Sequence, residues 1–138
     1  MKIVLVVALM VLLAAAAAEA STPTSYRVRV NWICRGYDAE GMRLEAAMRK
    51  AQATDDYPAW NASLRGALRL DLEEHRRIEA VPVPSALAST MQPILARMRA
   101  IDSHAGAAAK RPSELLAIDR LGRPLNAELS AAGLWDCG

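Results

Sequence analysis

The chain has 138 residues, which is enough for one hydrophobic core and too few for two. Its formal net charge is only +2, and basic and acidic residues are interspersed along the chain. Binding to nucleic acid or to an anionic membrane usually needs clustered positive charge, so the composition argues against both partners. Phenylalanine is absent while Ala, Leu, Met and Arg are frequent, which favours helices over sheets.

The N-terminal segment is typical of a secretory signal peptide. Lys2 precedes an apolar run from Ile3 to Ala18, and Ala18-Glu19-Ala20 has the small-x-small pattern that signal peptidase requires. The run is shorter than the roughly 20 residues of a membrane-spanning helix. We therefore expect residues 1–20 to be cleaved, leaving a soluble protein without a stable membrane anchor, either secreted or in the periplasm or cell envelope.

The two cysteines of the chain are Cys34 and Cys137. Cysteines of an exported protein usually pair, and each of these has one possible partner. Their wide separation is unlike the Cys-x-x-Cys spacing of a redox pair, which favours a structural disulfide. Closing a loop of this length is worth about 4 to 5 kcal/mol in the chain-entropy model.

Hydrophobic periodicity divides the mature chain into an N-terminal arm and a helical domain. Residues 26–34 alternate between apolar and polar side chains, with Tyr26, Val28, Val30, Trp32 and Cys34 on one side, and no second strand is available as a partner. We therefore predict an extended arm over residues 21–33 and a helical domain over residues 34–138. Four helices are predicted: Cys34 to about Ala53, about Ala59 to Ala80, Ser85 to about Ala105, and Ser113 to Gly133 with an interruption at Gly122-Arg123-Pro124. The predicted fold is all-α, a single four-helix, up-and-down-like bundle closed by one disulfide.

Three features of this layout point to a family. Cys34 opens the first predicted helix, Val81-Pro82-Val83-Pro84 forms a stiff connector, and the chain ends in Gly133-Leu134-Trp135-Asp136-Cys137-Gly138. The layout resembles the small exported helical-bundle proteins of actinobacteria, many of which are lipoproteins and most of which have no assigned function. The resemblance implies the fold and an exported location, and it transfers no catalytic residue. The anchor cysteine of the lipoprotein members is missing here.

One row of side chains on the second predicted helix has the spacing of a metal site. Asp71, His75 and Glu79 are four residues apart, so they lie along one ridge of the helix. The row offers a single nitrogen ligand within a charge-rich segment, where solvated ion pairs are the usual explanation. A Cys-x-x-Cys-His motif for covalent haem is absent from the sequence. We therefore expect no cofactor, and keep a metal- or haem-carrying protein that uses His75 as the alternative.

Motifs of catalysis are also missing from the sequence, which contains neither a Gly-x-Ser-x-Gly elbow nor a glycine-rich phosphate loop. We therefore expect a non-catalytic exported protein with a binding or structural role, whose partner is an unknown protein or envelope component.

Two tryptophans mark a candidate surface, because Trp32 and Trp135 each stand two residues before a cysteine. We expect both indoles to pack over the disulfide as a lid. The alternative is an exposed aromatic patch that binds a partner.

Overall fold

The computed structural model of the protein describes residues 22–108 and 110–137. The predicted signal peptide at residues 1–20 lies outside the described residues. The described chain forms four α-helices and two short 3₁₀ turns and contains no strand. The helices are α1 (Pro23–Ala53), α2 (Tyr57–Glu79), α3 (Ala88–Ala108) and α4 (Pro112–Ala131), and the 3₁₀ turns are Ser85–Leu87 and Trp135–Cys137.

The predicted extended arm is wrong, because α1 begins at Pro23 and includes residues 23–33. The Thr22 side chain caps the helix by accepting a hydrogen bond from the Ser25 backbone N–H, and proline suits the first helical position. Tyr26, Val30 and Cys34 are buried at a spacing of four residues, which fits a strand of period two as well as a helix. The helix is preferred because it satisfies its own backbone hydrogen bonds, whereas a lone strand leaves them unpaired.

The predicted interruption of the last helix at Gly122-Arg123-Pro124 is also wrong, since α4 continues through Pro124. A proline inside a helix removes one backbone hydrogen bond and usually kinks or breaks the helix. Leu125 and Leu129 follow Pro124 and are both buried in the core, so packing of this segment offsets the lost hydrogen bond. The predicted second helix agrees with α2 to within two residues at each end.

The helices form two antiparallel hairpins, α1 with α2 and α3 with α4, which meet mainly along α2 and α3. Between the hairpins lies the main core, to which every helix contributes. Its fully buried members are Tyr26, Val30 and Cys34 from α1, Ile78 from α2, Met91, Ile94 and Met98 from α3, Leu129 from α4, and Leu134 beyond it. This arrangement confirms the predicted all-α fold with one disulfide.

The end of α1 that lies farthest from this core packs mainly on α2. There Gly66 of α2 allows α1 to approach closely, because a Cβ atom at this position would lie 2.8 Å from Leu44 Cδ2.

Within residues 22–108 and 110–137, none of the helices combines the length and apolar character that crossing a bilayer requires.

Gly133, immediately after α4, has a left-handed backbone with φ of 81°, as predicted for the helix stop. A Cβ atom there would lie 2.9 Å from Arg27 Nε, and Arg27 Nε donates a 2.7 Å hydrogen bond to the Ala132 carbonyl. Gly133→Ala should therefore lower the free energy of unfolding by about 1–3 kcal/mol, measured by urea denaturation.

Gly36→Ala is the matched control for this substitution. Gly36 lies inside α1, where a Cβ atom would meet nothing within 4 Å. Because alanine favours a helix interior over glycine, this variant should be more stable by about 0.5–1 kcal/mol. Equal effects of the two substitutions would contradict the role assigned to Gly133.

Candidate functional site at the closed end of the bundle

The disulfide between Cys34 and Cys137 confirms the predicted pairing. It joins α1 to the C-terminal 3₁₀ turn across 103 positions of sequence, with the two Cα atoms 5.1 Å apart. Cys34 is buried in the core, whereas Cys137 is partly exposed. The bond therefore fixes the last turn of the chain against the middle of the first helix.

Polar side chains of α1 hold the same C-terminal segment on either side of the disulfide. Arg27 bonds the Ala132 carbonyl, as described above. Asn31 Nδ2 donates to the Gly133 carbonyl at 3.2 Å, and Asn31 Oδ1 accepts the Asp136 backbone N–H at 3.3 Å. Arg35 Nε lies 3.0 Å from Asp136 Oδ2. Three successive turns of α1 thus hold the segment that carries Trp135.

The predicted tryptophan lid is wrong, because Trp32 and Trp135 are each 71% exposed. Trp32 is two residues after the buried Val30, and two residues turn a helix by about 200°, so its indole faces solvent. Trp135 is the first residue of the C-terminal 3₁₀ turn, whose neighbours Leu134 and Cys137 take the inward positions. The two tryptophans lie on adjoining segments, since Asn31 and Asp136 are hydrogen-bonded to each other.

A groove of about 560 Å³ opens beside the disulfide, between the α1–α2 hairpin and the C-terminal turn. Its apolar wall comes from α1 and α2, and Met42, on that wall, is 64% exposed. Asp136 and Cys137 line the groove from the C-terminal turn, and Asn126 lines it from α4. Sequence reasoning missed this groove, because its two sides come together only through the register of the α1–α2 hairpin.

Two carboxyl groups of this groove, Asp38 and Asp71, are close enough to Glu74 to affect its protonation. The pKa of Glu74 is raised to about 7, mainly by burial and secondly by the negative charges of Asp71 and Asp38. Partial desolvation by the surrounding protein is the main cause of a raised pKa at Asp71, a residue that is exposed overall; the nearby His75 lowers this pKa and Asp102 raises it. A carboxylate oxygen of Glu74 and the sulfur atoms of Cys34 and Cys137 lie within 4.8 Å of one another. The groove therefore places a proton-binding carboxyl group against the disulfide.

The structure does not bring the predicted metal ligands Asp71, His75 and Glu79 together. His75 Nδ1 lies 2.6 Å from Asp102 Oδ1 on α3, and Glu79 Oε1 lies 3.3 Å from Arg99 Nη1. In the described ranges, Cys34, Glu74 and Cys137 form the one set of three potential ligands within 4.8 Å, and its two sulfurs are bonded to each other. The three side chains therefore do not form one site, because His75 and Glu79 are each paired with a residue of α3.

Both histidines of the chain bridge helices. His75 pairs with Asp102 across α2 and α3, whereas His104 Nδ1 lies 2.6 Å from Glu114 Oε2 across α3 and α4. The hydrogen bond to His104 holds the pKa of Glu114 below its ordinary value. His75 also borders a cavity of about 200 Å³ whose lining has neither a hydroxyl group nor a free thiol. These contacts fit a structural role for both side chains.

The exposure of Trp135 leads to a stability prediction. Because truncating an exposed side chain removes little packing, Trp135→Ala should change the free energy of unfolding by no more than about 0.5 kcal/mol. Thermal denaturation and the far-ultraviolet spectrum measure this. Iodide should quench less of the fluorescence in the variant, since a solvent-facing indole is removed. A fall of several kcal/mol in the free energy of unfolding would contradict this prediction and show that the Trp135 indole is packed over the disulfide.

The raised pKa of Glu74 leads to a pH prediction. The folded state holds the Glu74 proton more tightly than the unfolded state does. The bound proton therefore stabilises the fold fully below the unfolded-state pKa near 4.5, and this contribution is lost as the pH rises through 7. Glu74→Gln stays neutral, so at pH 8 it should be about 1–3 kcal/mol more stable than the wild type, and nearly equal at pH 4.5. Denaturant titrations at both pH values provide the measurement.

Asp119→Asn is the control for Glu74→Gln. Asp119 is half-exposed on α4 and pairs with Arg123, so its loss should cost under about 1 kcal/mol at either pH. If both variants gained the same stability at pH 8, the gain would come from a general reduction of negative charge and not from the position of Glu74 in the groove.

Comparison with protein-family models, with curated proteins and with solved structures finds no match to this chain. The resemblance to exported actinobacterial bundle proteins therefore stays a prediction.

Proposed function

We propose that this chain is an exported, non-catalytic helical protein that binds a partner in the cell envelope or outside the cell. The binding surface is the tryptophan face, formed by Trp32 and Trp135. The observation that carries the proposal is the exposure of both indoles, 71% each, on backbone that a disulfide and hydrogen bonds hold in place.

Export is supported by sequence and by cysteine chemistry together. The N-terminal pattern ending in Ala18-Glu19-Ala20 suits signal peptidase. A disulfide between Cys34 and Cys137 is the kind of bond that persists in oxidising compartments outside the cytoplasm.

Exposed tryptophans on fixed backbone are well suited to binding. Tryptophan is enriched among residues whose truncation costs about 2 kcal/mol or more at protein interfaces. Ordering a mobile segment on association costs free energy, and the disulfide and the α1 hydrogen bonds reduce that cost for Trp135. Val28 is 65% exposed one helical turn before Trp32 and extends the apolar area.

The test compares partner capture by the wild type with capture by the double variant Trp32→Ala/Trp135→Ala. The tagged full-length chain is exported by a bacterial host, crosslinked in intact cells and recovered from the envelope and medium. We expect a specific crosslinked species whose yield falls at least tenfold in the double variant, because burial of the indoles supplies the affinity. If the crosslinked partner is a second copy of this chain, sedimentation of the purified protein will show a dimer.

Tyr57→Ala is the matched control, since Tyr57 is a 70% exposed aromatic residue at the opposite end of the α1–α2 hairpin. It should leave the crosslinked species unchanged. Equal yields from all three proteins would overturn the tryptophan face. Stoichiometric metal or haem that disappears in His75→Ala would instead favour a cofactor-carrying protein.

A further inference from the structure

We propose that the groove between α1, α2 and the C-terminal turn binds an aliphatic polyamine, a chain of ammonium groups joined by short methylene spacers. This site is separate from the tryptophan face and does not depend on it. The inference rests on two independent features of the groove, an exposed apolar wall and three carboxyl groups that form no ion pair with a described residue.

The apolar wall provides a surface for methylene groups. Tyr37, Met42 and Met48 contribute to it from α1, and Ala67 and Leu70 from α2. The volume of about 560 Å³ lies within the range of about 300–1,000 Å³ that is usual for small-molecule sites. Met42 is 64% exposed although such a side chain gains free energy on burial, so a ligand that covers it is favoured.

The ionisable side chains of Asp, Glu, Lys, Arg and His type that line the groove are all acidic. Five carboxylates line it, and no Lys, Arg or His does. Glu45 and Asp136 are paired with arginines that lie outside the lining, Arg49 and Arg35, each at 3.0 Å. Asp38, Asp71 and Glu74 form no ion pair with any described residue. A cationic ligand would relieve the repulsion that Asp38 and Asp71 exert on Glu74.

The spacing of the carboxylates favours an extended polycation over a metal ion. Asp71 and Glu74 are one turn apart on α2, and Asp38 comes from α1. Their oxygen atoms do not form a group of three within 4.8 Å of one another, so they are not arranged to ligate a single ion. Separate ammonium groups can pair with separate carboxylates while the spacers between them lie on the apolar wall. The raised pKa of Glu74 agrees with a site that lacks its counter-charge.

The experiment titrates the full-length wild-type chain with spermine at pH 8 by calorimetry, with magnesium chloride at matched ionic strength as the comparison. We expect saturable 1:1 binding of spermine, weaker binding of the shorter putrescine, and no saturable heat with magnesium. Magnesium that binds as tightly as spermine would overturn the proposal, because it would show a general acidic surface. An absence of saturable spermine binding would overturn it as well.

Variants then test each feature of the groove. Asp71→Asn/Glu74→Gln should weaken spermine binding at least tenfold, whereas Asp119→Asn, which removes a carboxylate on α4, should not change it. Met42→Ala should weaken spermine several-fold, and Leu116→Ala, an equally exposed apolar side chain on α4, should have no effect. The amide variants keep side-chain shape and relieve repulsion, so they should fold, as circular dichroism verifies. Unchanged affinity in the folded double variant would place spermine elsewhere and refute the assignment.

Discussion

The attachment of the C-terminal turn to α1 is the constraint on which the rest of the structure depends. α1 packs along α2 and has few contacts with α4 itself, so the C-terminal turn links the outer helix of one hairpin to the other hairpin. The disulfide contributes about 4 to 5 kcal/mol through the entropy of the unfolded chain. Hydrogen bonds from Arg27 and Asn31 set the direction of the segment that the bond anchors.

Both candidate surfaces follow from this attachment. Cys137 turns inward at the end of the chain, and Trp135, two residues earlier, is therefore presented outward on a fixed backbone. On the other side of the disulfide, the gap between the α1–α2 hairpin and the C-terminal turn forms the acidic groove. Burial of Glu74, together with the charges of Asp71 and Asp38, disfavours its ionised form and so destabilises the folded protein at neutral pH, and the stability that the attachment supplies offsets this cost.

The fold class, the disulfide and most of α2 were predictable from the sequence, because the composition favours helices, the chain has a single pair of cysteines, and α2 has a strong 3.6-residue period. The start of α1 was not, since Tyr26, Val30 and Cys34 fit two periods and only packing chooses between them. The tryptophan lid was predicted from the position of Trp32 and Trp135 two residues before each cysteine, and that spacing does not determine which side of a helix or 3₁₀ turn faces solvent. The pairing of His75 with Asp102 and the contact of Glu74 with the disulfide depend on helix register, which local patterns do not specify.

The disulfide also determines how the protein would bear mechanical load. A force applied between the two ends of the described chain passes from residue 22 along the first turns of α1 to Cys34, and then across the sulfur–sulfur bond to Cys137. The 102 residues between the cysteines lie outside this path, because the bond spans 103 positions. Pulling on the ends would therefore unwind the start of α1 and leave α2, α3 and α4 under no direct tension. The groove residues between the cysteines lie within the shielded part of the chain, whereas Trp32 and the side chains of Arg27 and Asn31 that hold the Trp135 segment lie on the loaded path, so strain on a tethered molecule would disturb the tryptophan face before the groove.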